Sequence, residues 1–221
     1  MSLARVLEPE VMDTDEEARA YDTMDLAAVN AAFCDALLCL DPDLAYALDV
    51  GTGTCLLPIE LCRRVPTARI KAIDLSASML DLGRRRVEQA GLTGAITLAL
   101  VDAKALPEPD ETFSAVLSNS IIHHIPEPMQ VMREMFRVLR PGGLLFIRDL
   151  LRPKDEASVA ALVATYAAND TPYQRALFDA SLRAALAVEE ERDTLRSLGI
   201  PPECAQATSD RRWTLAFRKA A

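Results

Sequence analysis

The sequence predicts an α/β protein built on a doubly wound sheet of seven strands, mostly parallel, with an antiparallel last strand. Three observations predict this fold class. Short apolar runs alternate with helical patterns between residues 46 and 147, glycines follow the first run, and two further apolar segments close the chain. Strands separated by helices form βαβ units, whose right-handed crossovers place helices on both faces of a parallel sheet. Two consecutive strands at the end of the chain most simply pair antiparallel.

Hydrophobic periodicity predicts the elements in order. A first helix is predicted from Glu16 to Leu40, because apolar residues recur there at steps of three and four, and Asp41-Pro42 ends it. The strands are predicted at residues 45–50, 69–73, 96–101, 113–117, 144–147, 203–208 and 212–218. The remaining helices are predicted at residues 56–64, 77–90, 128–140, 154–169, 171–188 and 189–198.

Local signals support several of these boundaries. Ser76 is a suitable N-cap for the helix that follows it, and Gly91 suits the position after the last turn. Pro141-Gly142-Gly143 is expected to break the helix before the fifth strand, and Thr171-Pro172-Tyr173-Gln174 has the form of a capping box. We expect a single domain with an N-terminal helical cap (1–44), a cofactor-binding core (45–150), a helical insert (151–188) and a last helix with a strand pair (189–221).

Composition and charge narrow the class of partner. Of the 221 residues, 50% are hydrophobic and 26% are charged, which is enough apolar side chain to bury a core. The formal net charge is −9 at pH 7. An acidic chain has no basic field to attract phosphates, so the charge argues against a nucleic-acid or anionic-membrane binder.

Cysteine usage and the N-terminus indicate a reducing compartment. The five cysteines form no Cys-x-x-Cys pair and the only two histidines are adjacent, so no zinc spacing is present and no metal is expected. The chain shows no secretory signal and no run of the roughly 18 apolar residues that a membrane span requires. We expect a cytoplasmic protein, and we expect the acidic stretch from Glu8 to Glu17 to be solvated or frayed, or to order on ligand binding.

Acidic residues and glycines follow the predicted strands, at the edge where parallel α/β sheets bind ligands. Asp49 precedes Gly51 and Gly53, which allow a tight turn and a close approach of a ligand to the backbone. Asp74 lies 21 positions beyond Gly53, close to the spacing at which an acid accepts hydrogen bonds from two ribose hydroxyls. Asp102 follows the third strand, where it is suited to an exocyclic adenine amine or, equally, to a solvated loop.

The segment after the fourth strand combines small polar residues with paired histidines. Ser118-Asn119-Ser120 precedes an apolar stretch that includes His123 and His124. This pattern suggests a cofactor wall beside a substrate opening. Adjacent side chains point in different directions, so we expect at most one histidine to face a pocket.

Two classes of cofactor fit such a sheet. A dinucleotide site requires Gly-x-Gly-x-x-Gly, whose third glycine would fall at Leu56. An adenosyl-sulfonium ligand needs no pyrophosphate contact, and it fits acids before the glycines and after the second and third strands. This class is therefore favoured over a nicotinamide cofactor.

Five short segments stand out together: Leu48–Thr54, Ile73–Ser76, Val101–Ala103, Ile122–Ile125 and Arg137–Gly143. Their order and spacing resemble the class I S-adenosylmethionine-dependent methyltransferases, most closely the ubiquinone/menaquinone C-methyltransferase-like group of small-molecule enzymes. The resemblance covers about residues 45–150 and implies a Rossmann-like fold. The family's third glycine in the first motif is replaced here by Cys55.

The resemblance implies which residues contact the methionine and ribose parts of S-adenosylmethionine. Asp49, Gly51 and Gly53 would line the methionine part, and Asp74 would hold the ribose. Asn119 would approach the methionine or the ribose from the fourth strand.

The resemblance also implies a set of adenine contacts. Leu75 and Met79 would pack near the adenine ring, and Asp102 with Ala103 would contact its edge.

The implied reaction is methyl transfer to a small-molecule acceptor by in-line displacement, in which alignment is the protein's main task. His123 and His124 are the candidate catalytic residues, because histidine titrates in the range of a general base. A methyl acceptor that is already deprotonated needs no base.

The alternative functions are a non-catalytic S-adenosylmethionine-binding module and a nicotinamide-dependent oxidoreductase. We expect a monomer or homodimer, with substrate selection by residues 24–40 and 154–188 and Tyr21 among the candidate pocket residues.

Overall fold

A seven-stranded sheet forms the centre of the computed structural model, which describes residues 3–11, 14–24 and 26–220. The strands are β1 (Ala47–Val50), β2 (Ile70–Asp74), β3 (Ile96–Leu100), β4 (Phe113–Asn119), β5 (Leu139–Leu150), β6 (Ala205–Ala207) and β7 (Arg212–Arg218). Their order in the sheet is β3-β2-β1-β4-β5-β7-β6, with six strands parallel and the last antiparallel. The predicted fold class is confirmed, including the antiparallel pairing of β6 with β7.

The helices alternate with the strands as the periodicity predicts. They are α1 (Asp15–Asp22), α2 (Ala27–Leu38), α3 (Leu56–Arg64), α4 (Ala77–Gln89), α5 (Pro128–Val138), α6 (Glu156–Tyr166), α7 (Pro172–Ala184) and α8 (Val188–Ser197). Ser76 caps α4 by accepting a hydrogen bond from the Met79 amide at 3.2 Å. The capping box at Thr171 and Gln174 is also present. Both predicted caps are confirmed.

Strand register brings the predicted site to one edge of the sheet. β1 lies between β2 and β4 and is parallel to both, so that Val50 stands level with Ile73 on one side and Ser118 on the other. The chain runs outward from β1 to β2 and β3, and then crosses to β4 on the opposite side. This reversal is the topological switch point at which doubly wound sheets bind ligands.

Two elements depart clearly from the prediction, beyond shifts of up to four residues at other boundaries. The single helix expected from Glu16 to Leu40 is two helices, α1 and α2, separated by residues 23–26. The Pro141-Gly142-Gly143 segment lies within β5 instead of before it. The reason is pairing with the end of the chain: the Gly142 amide donates to the Lys219 carbonyl, and the Lys219 amide donates to the Gly143 carbonyl, each at 2.9 Å. Because this pairing partner is distant along the chain, no pattern near residues 141–143 indicates that they belong to a strand.

The chain divides into two compact units. The strand-rich unit comprises Val11–Asn119, Met129–Ile147 and Ala216–Ala221, and the helix-rich unit comprises Met1–Glu10, Ser120–Pro128 and Arg148–Leu215.

Each unit has an apolar core of its own. In the strand-rich unit, α2 and α3 pack on the sheet, with Phe33 in edge-to-face contact with Phe146 at a centroid distance of 4.9 Å. In the helix-rich unit, Leu150, Val159 and Leu182 are the centre of the core. In the described part of the chain, no helix combines the length and apolar character that crossing a membrane requires.

Candidate functional site

Two glycines in the loop from β1 to α3 leave its backbone accessible to a ligand. Gly51 and Gly53 adopt φ angles of 73° and 53°, values that side-chain-bearing residues rarely take. The amides of Gly51 and Thr52 both donate to the Ile73 carbonyl at 2.9 Å. The loop therefore turns tightly over the end of β2, as the sequence predicted.

Asp74 holds this loop in place. Its Oδ2 accepts a hydrogen bond from the Gly53 amide at 2.8 Å, and its Oδ1 accepts one from the Ser76 amide at 2.9 Å. Burial raises the pKa of Asp74 above its ordinary value, although the hydrogen bonds from Ser76, Gly53 and Leu75 oppose that change. A carboxylate has about four lone-pair sites on its two oxygens, so Asp74 retains capacity for a further donor such as a hydroxyl.

Cys55 occupies the third glycine position of the motif with an uncommon backbone. Its φ angle is 63°, in the left-handed region, and its side chain is buried. The structure accommodates that side chain because Gly83 faces it: a Cβ built on Gly83 would lie 2.9 Å from Cys55 Sγ. Burial also raises the pKa of the Cys55 thiol to about 12, so the thiol stays protonated and unreactive near neutral pH.

A cavity of about 350 Å³, including its open mouth, lies beside the glycine loop. Three predicted cofactor residues, Asp49, Gly51 and Asn119, are among its walls. The full lining is Tyr21, Leu26, Asn30, Asp49, Gly51, Thr52, Thr54, Leu56, Leu57 and Asn119.

Asp49 is the charged group in this lining. It is 2% exposed, and its Oδ2 has no hydrogen-bond partner among the described residues. Burial raises the pKa of Asp49 to about 7, a hydrogen bond from Thr52 lowers it, and the nearby charge of Asp74 raises it further. A buried carboxylate with an unsatisfied oxygen is stabilised by a cation or a donor from a ligand.

Asn30 and Thr54 are among the lining residues that the sequence analysis did not single out. Asn30 on α2 accepts a hydrogen bond at 3.4 Å from the Asn119 side-chain amide, which fixes the orientation of Asn119. Thr54 is buried, and its hydroxyl has no partner in the described part of the chain. One sequence feature could have indicated Asn30: it is a polar residue on the helix face that also carries the apolar Phe33 and Leu37.

The predicted adenine residues lie at the adjacent strand ends, outside the lining of this cavity. Leu75 is 40% exposed, whereas Met79 is buried on α4. The Asp102 side chain is 44% exposed, and its Oδ1 accepts the Lys104 amide at 2.9 Å in a turn that includes Ala103. Asp102 Oδ1 also lies 3.5 Å from Lys104 Nζ. An exposed leucine at the end of β2 and a carboxylate after β3 with a second oxygen suit a flat heterocycle with an amine.

The paired histidines lie in the helix-rich unit. His123 is 3% exposed, and its Nδ1 lies 2.5 Å from Asp149 Oδ1. Asp149 also accepts the amides of Ile122 and Leu150 at 2.5 Å. Burial would raise the pKa of Asp149, but His123 and these amides outweigh it and keep the pKa below the ordinary value. The Asp149 carboxylate therefore accepts the hydrogen bond, and the His123 ring donates it through a proton on Nδ1.

His124 has a different environment within the same unit. Burial, together with the neighbouring His123, lowers its pKa to about 3, so it is neutral near pH 7. The Glu8 carboxylate, expected to be solvated, is buried, with its Oε1 at 3.1 Å from His124 Nδ1. The rest of the expected acidic stretch includes Asp13, which lies outside the described residues.

The residues around the cavity fit an S-adenosylmethionine ligand. That ligand carries an ammonium and a sulfonium cation, a ribose diol and an adenine. Asp49 presents an unsatisfied buried carboxylate oxygen, the glycine loop exposes backbone beside it, and Asp74 retains acceptor capacity at the end of β2.

Comparison with known proteins gives matches in the same region. Residues 48–147 match the family model described as a methyltransferase domain. The chain is 36% identical over 108 residues to a ubiquinone/menaquinone biosynthesis C-methyltransferase from Geobacter sulfurreducens, covering 48% of this chain and 42% of that protein. It is 39% identical over 104 residues to the methyltransferase GfsG of Streptomyces halstedii, covering 47% of this chain and 37% of that protein. The matches thus span less than half the length of these two relatives.

Solved structures agree on the architecture. The plantazolicin methyltransferase BpumL, in complex with S-adenosylhomocysteine, superposes with a TM-score of 0.73 at 13% identity, covering 92% of this chain and 90% of that chain. At such low identity the similarity concerns the fold. It extends beyond residues 48–147 to nearly the whole chain.

Proposed function

The chain belongs, through residues 48–147, to the class I S-adenosylmethionine-dependent methyltransferases, and from that premise we propose that it transfers a methyl group from S-adenosylmethionine to a small-molecule acceptor. The observation that carries the proposal is the cavity at the switch point, where Asp49 presents an unsatisfied carboxylate oxygen beside the glycine loop. A homologous methyltransferase named for ubiquinone/menaquinone biosynthesis supports the acceptor class.

We assign the cofactor contacts residue by residue. Asp49 would accept from the ammonium group, and the backbone at Gly51 and Gly53 would lie against the methionine part. Asp74 would accept the ribose hydroxyls while it keeps its bonds to the Gly53 and Ser76 amides. Asn119, oriented by its bond to Asn30, would contact the methionine or ribose.

The assigned adenine site lies at the ends of β2 and β3. Leu75 and Met79 would contact the faces of the ring, and Asp102 with Ala103 would contact its edge. The exposure of Leu75 supports this assignment, since a bound ring would remove that apolar surface from water.

The bound cofactor would supply an activated methyl group on a sulfonium. The chain's own contribution is alignment: residues held by several hydrogen bonds keep the cofactor in one position for an in-line displacement. Burial of Asp49 adds a second effect, because a carboxylate in a poorly solvated site interacts more strongly with a cation than it would in water.

The acceptor class rests on charge as well as on the relatives. The net charge of −9 provides no general attraction for a polyanion. A small molecule is therefore the proposed acceptor.

The catalytic role of His123 and His124 stays a prediction. His123 donates its Nδ1 proton to Asp149, and the low pKa of His124 makes it a weak proton acceptor. Methyl transfer to an acceptor that is already ionised needs no base. A His124→Asn variant that binds S-adenosylhomocysteine normally but loses kcat with a protonated acceptor would support a base.

Calorimetric titration with S-adenosylhomocysteine tests the cofactor site. We expect micromolar binding, and a loss of ten-fold or more in Asp74→Ala, since a hydrogen bond to a charged group contributes roughly 1.5–3 kcal/mol. The matched control is Asp81→Asn, which removes one carboxylate from the exposed face of α4. Equal affinity of Asp74→Ala and the control, in folded samples, would contradict the ribose assignment.

Turnover of labelled cofactor tests the reaction itself. The wild-type chain would be incubated with separate pools of small metabolites, peptides and RNA. Transfer to a small metabolite supports the proposal, and transfer to a macromolecule refutes the acceptor class. Binding without transfer to any pool would favour the non-catalytic module.

A further inference from the structure

The N-terminal segment is attached to the helix-rich unit by its backbone and by one arginine. The amides of Leu3 and Val6 donate to the carbonyls of Lys154 and Arg183 at 3.1 Å. The Arg5 guanidinium donates to four carbonyl groups, at distances from 2.7 to 3.2 Å. These belong to His123, Ile125, Pro126 and Ala184. The segment is therefore positioned by a set of directional bonds, and Glu8 is carried with it.

This attachment brings Glu8 to the two histidines. Its Oε1 lies 3.1 Å from His124 Nδ1 and 3.6 Å from His123 Nε2. All three atoms lie within 4.8 Å of one another. The Glu8 side chain is 7% exposed, so its carboxylate is largely withdrawn from water.

Within the described part of the chain, two of the three atoms lack a hydrogen bond that would otherwise account for this arrangement. Neither Glu8 Oε1 nor His124 Nδ1 has a hydrogen bond of acceptable geometry among the described residues. The other Glu8 oxygen accepts from the Ser181 hydroxyl at 3.2 Å, which orients the carboxylate with Oε1 toward the rings. A buried carboxylate oxygen that faces ring nitrogens without a hydrogen bond is costly unless a cation lies between them.

His123 is prepared as a ligand through its second nitrogen. Because Asp149 fixes the proton on Nδ1, Nε2 is the atom free to bind a metal. This carboxylate–histidine pairing is the arrangement that orients metal-binding histidines and fixes their tautomer. The ring of His124 hydrogen-bonds the Pro9 carbonyl, an acceptor supplied by the same N-terminal segment.

We propose that Glu8, His123 and His124 bind a divalent first-row transition metal ion, with Zn²⁺ the best fit. Zn–N and Zn–O bonds of about 2.0–2.1 Å imply edges of roughly 3.3 Å between tetrahedral ligands. The observed separations of 3.1 and 3.6 Å bracket that edge. Two imidazoles and one carboxylate are a donor set that such ions favour, and three protein ligands leave a position for water or another ligand.

The site could not be found from spacing, and it departs from the expectation that the chain binds no metal. Glu8 is 115 positions from His123, so no sequence motif joins them. The proposal is argued from contacts within the helix-rich unit and does not require the proposed cofactor site, although His123 and His124 are also the candidate catalytic residues. Bound metal would also link the N-terminal segment to the histidine pair.

Titration of the full chain with Zn²⁺, after removal of metal by a chelator, tests the proposal. We expect one ion per chain with micromolar or tighter affinity, measured by competition with a chromophoric chelator. Glu8→Gln should weaken binding at least ten-fold, and Asp149→Asn should weaken it about ten- to hundred-fold through the orientation of His123. The control is Glu127→Gln, an exposed carboxylate close in sequence, which should leave affinity unchanged.

X-ray absorption of the Zn²⁺-loaded wild-type chain makes the test independent of variant folding. The chain has only two histidines, so imidazole scattering from two ligands identifies this pair. Sulfur-dominated coordination would place the ion at cysteines and overturn the proposal. So would the absence of stoichiometric binding, or equal affinity in folded Glu8→Gln; the three side chains would then share a proton instead.

Discussion

Replacing Gly83 with alanine should destabilise the wild-type chain, and should do so much less in a chain that also carries Cys55→Gly. Gly83 is buried on α4. A Cβ there would lie 2.9 Å from Cys55 Sγ and 3.1 Å from Leu98 Cδ2. Both distances are well inside the roughly 3.5–4.0 Å of favourable contact, so neighbouring groups must move.

The magnitude follows from two opposing effects. Alanine in place of glycine in a helix interior gains about 0.5–1 kcal/mol, whereas overpacking a core costs about 1–3 kcal/mol. Gly83→Ala should therefore lose roughly 0.5–2 kcal/mol in the wild-type background. Without the Cys55 side chain, only the flexible end of Leu98 must shift, and the net change should be near zero.

Cys55→Gly alone should change stability little. It releases a left-handed conformation that costs a side-chain-bearing residue roughly 1–2 kcal/mol, but it also removes a buried thiol from the core. The informative quantity is the coupling between the two sites, which we expect to be about 1–2 kcal/mol.

Urea unfolding of the wild-type chain, both single variants and the double variant measures that coupling. Titration with S-adenosylhomocysteine, carried out in parallel, reports whether the glycine loop keeps its geometry. Additive effects, with a coupling below about 0.3 kcal/mol, would refute the explanation that Gly83 exists to accommodate Cys55.

Three further predictions concern buried polar groups. Asp49→Asn should stabilise the ligand-free chain by up to about 4 kcal/mol at pH 8 and by much less at pH 5. The reason is the folded-state pKa of about 7, because of which the negative charge destabilises the fold increasingly from pH 4 to pH 7. Thermal unfolding of both proteins at the two pH values measures this effect, and equal shifts in unfolding temperature would contradict it. Asn30→Ala should weaken S-adenosylhomocysteine binding several-fold by removing one of the interactions that orient Asn119. Calorimetry measures this, and unchanged affinity would be the contrary result. Glu191 is fully buried, and burial raises its pKa to about 8. Glu191→Gln should therefore raise the midpoint of urea unfolding at pH 9 more than at pH 6. A difference that does not depend on pH would show that the buried charge of Glu191 is not the cause.

The predicted cofactor edge illustrates how local sequence signals place residues at one edge of the sheet. Asp49, Gly51, Gly53 and Asp74 were identified because a parallel sheet aligns its strand ends, and their spacing along the chain follows from one βαβ unit. The structure brings Gly53 and Asp74 into direct contact at 2.8 Å. Asn30 was missed because it reaches Asn119 from a separate helix, 89 positions away.

The histidine pair illustrates the opposite case. The adjacent His123 and His124 are visible in the sequence, but their chemistry depends on Glu8 and Asp149, which are remote along the chain. Asp149 determines which ring nitrogen of His123 carries the proton, and Glu8 supplies the carboxylate oxygen without a hydrogen bond. No periodicity or motif indicates either partner.

The sequence by itself determined the fold class, and it predicted which acidic and glycine residues follow the strand ends. It did so because hydrophobic period and turn chemistry are local properties that short segments carry. Only the tertiary structure decided that Cys55 faces Gly83 and that Glu8 is buried against two histidines. Those contacts depend on packing between distant segments, where burial and partners, not residue type, set the charge and reactivity of each group.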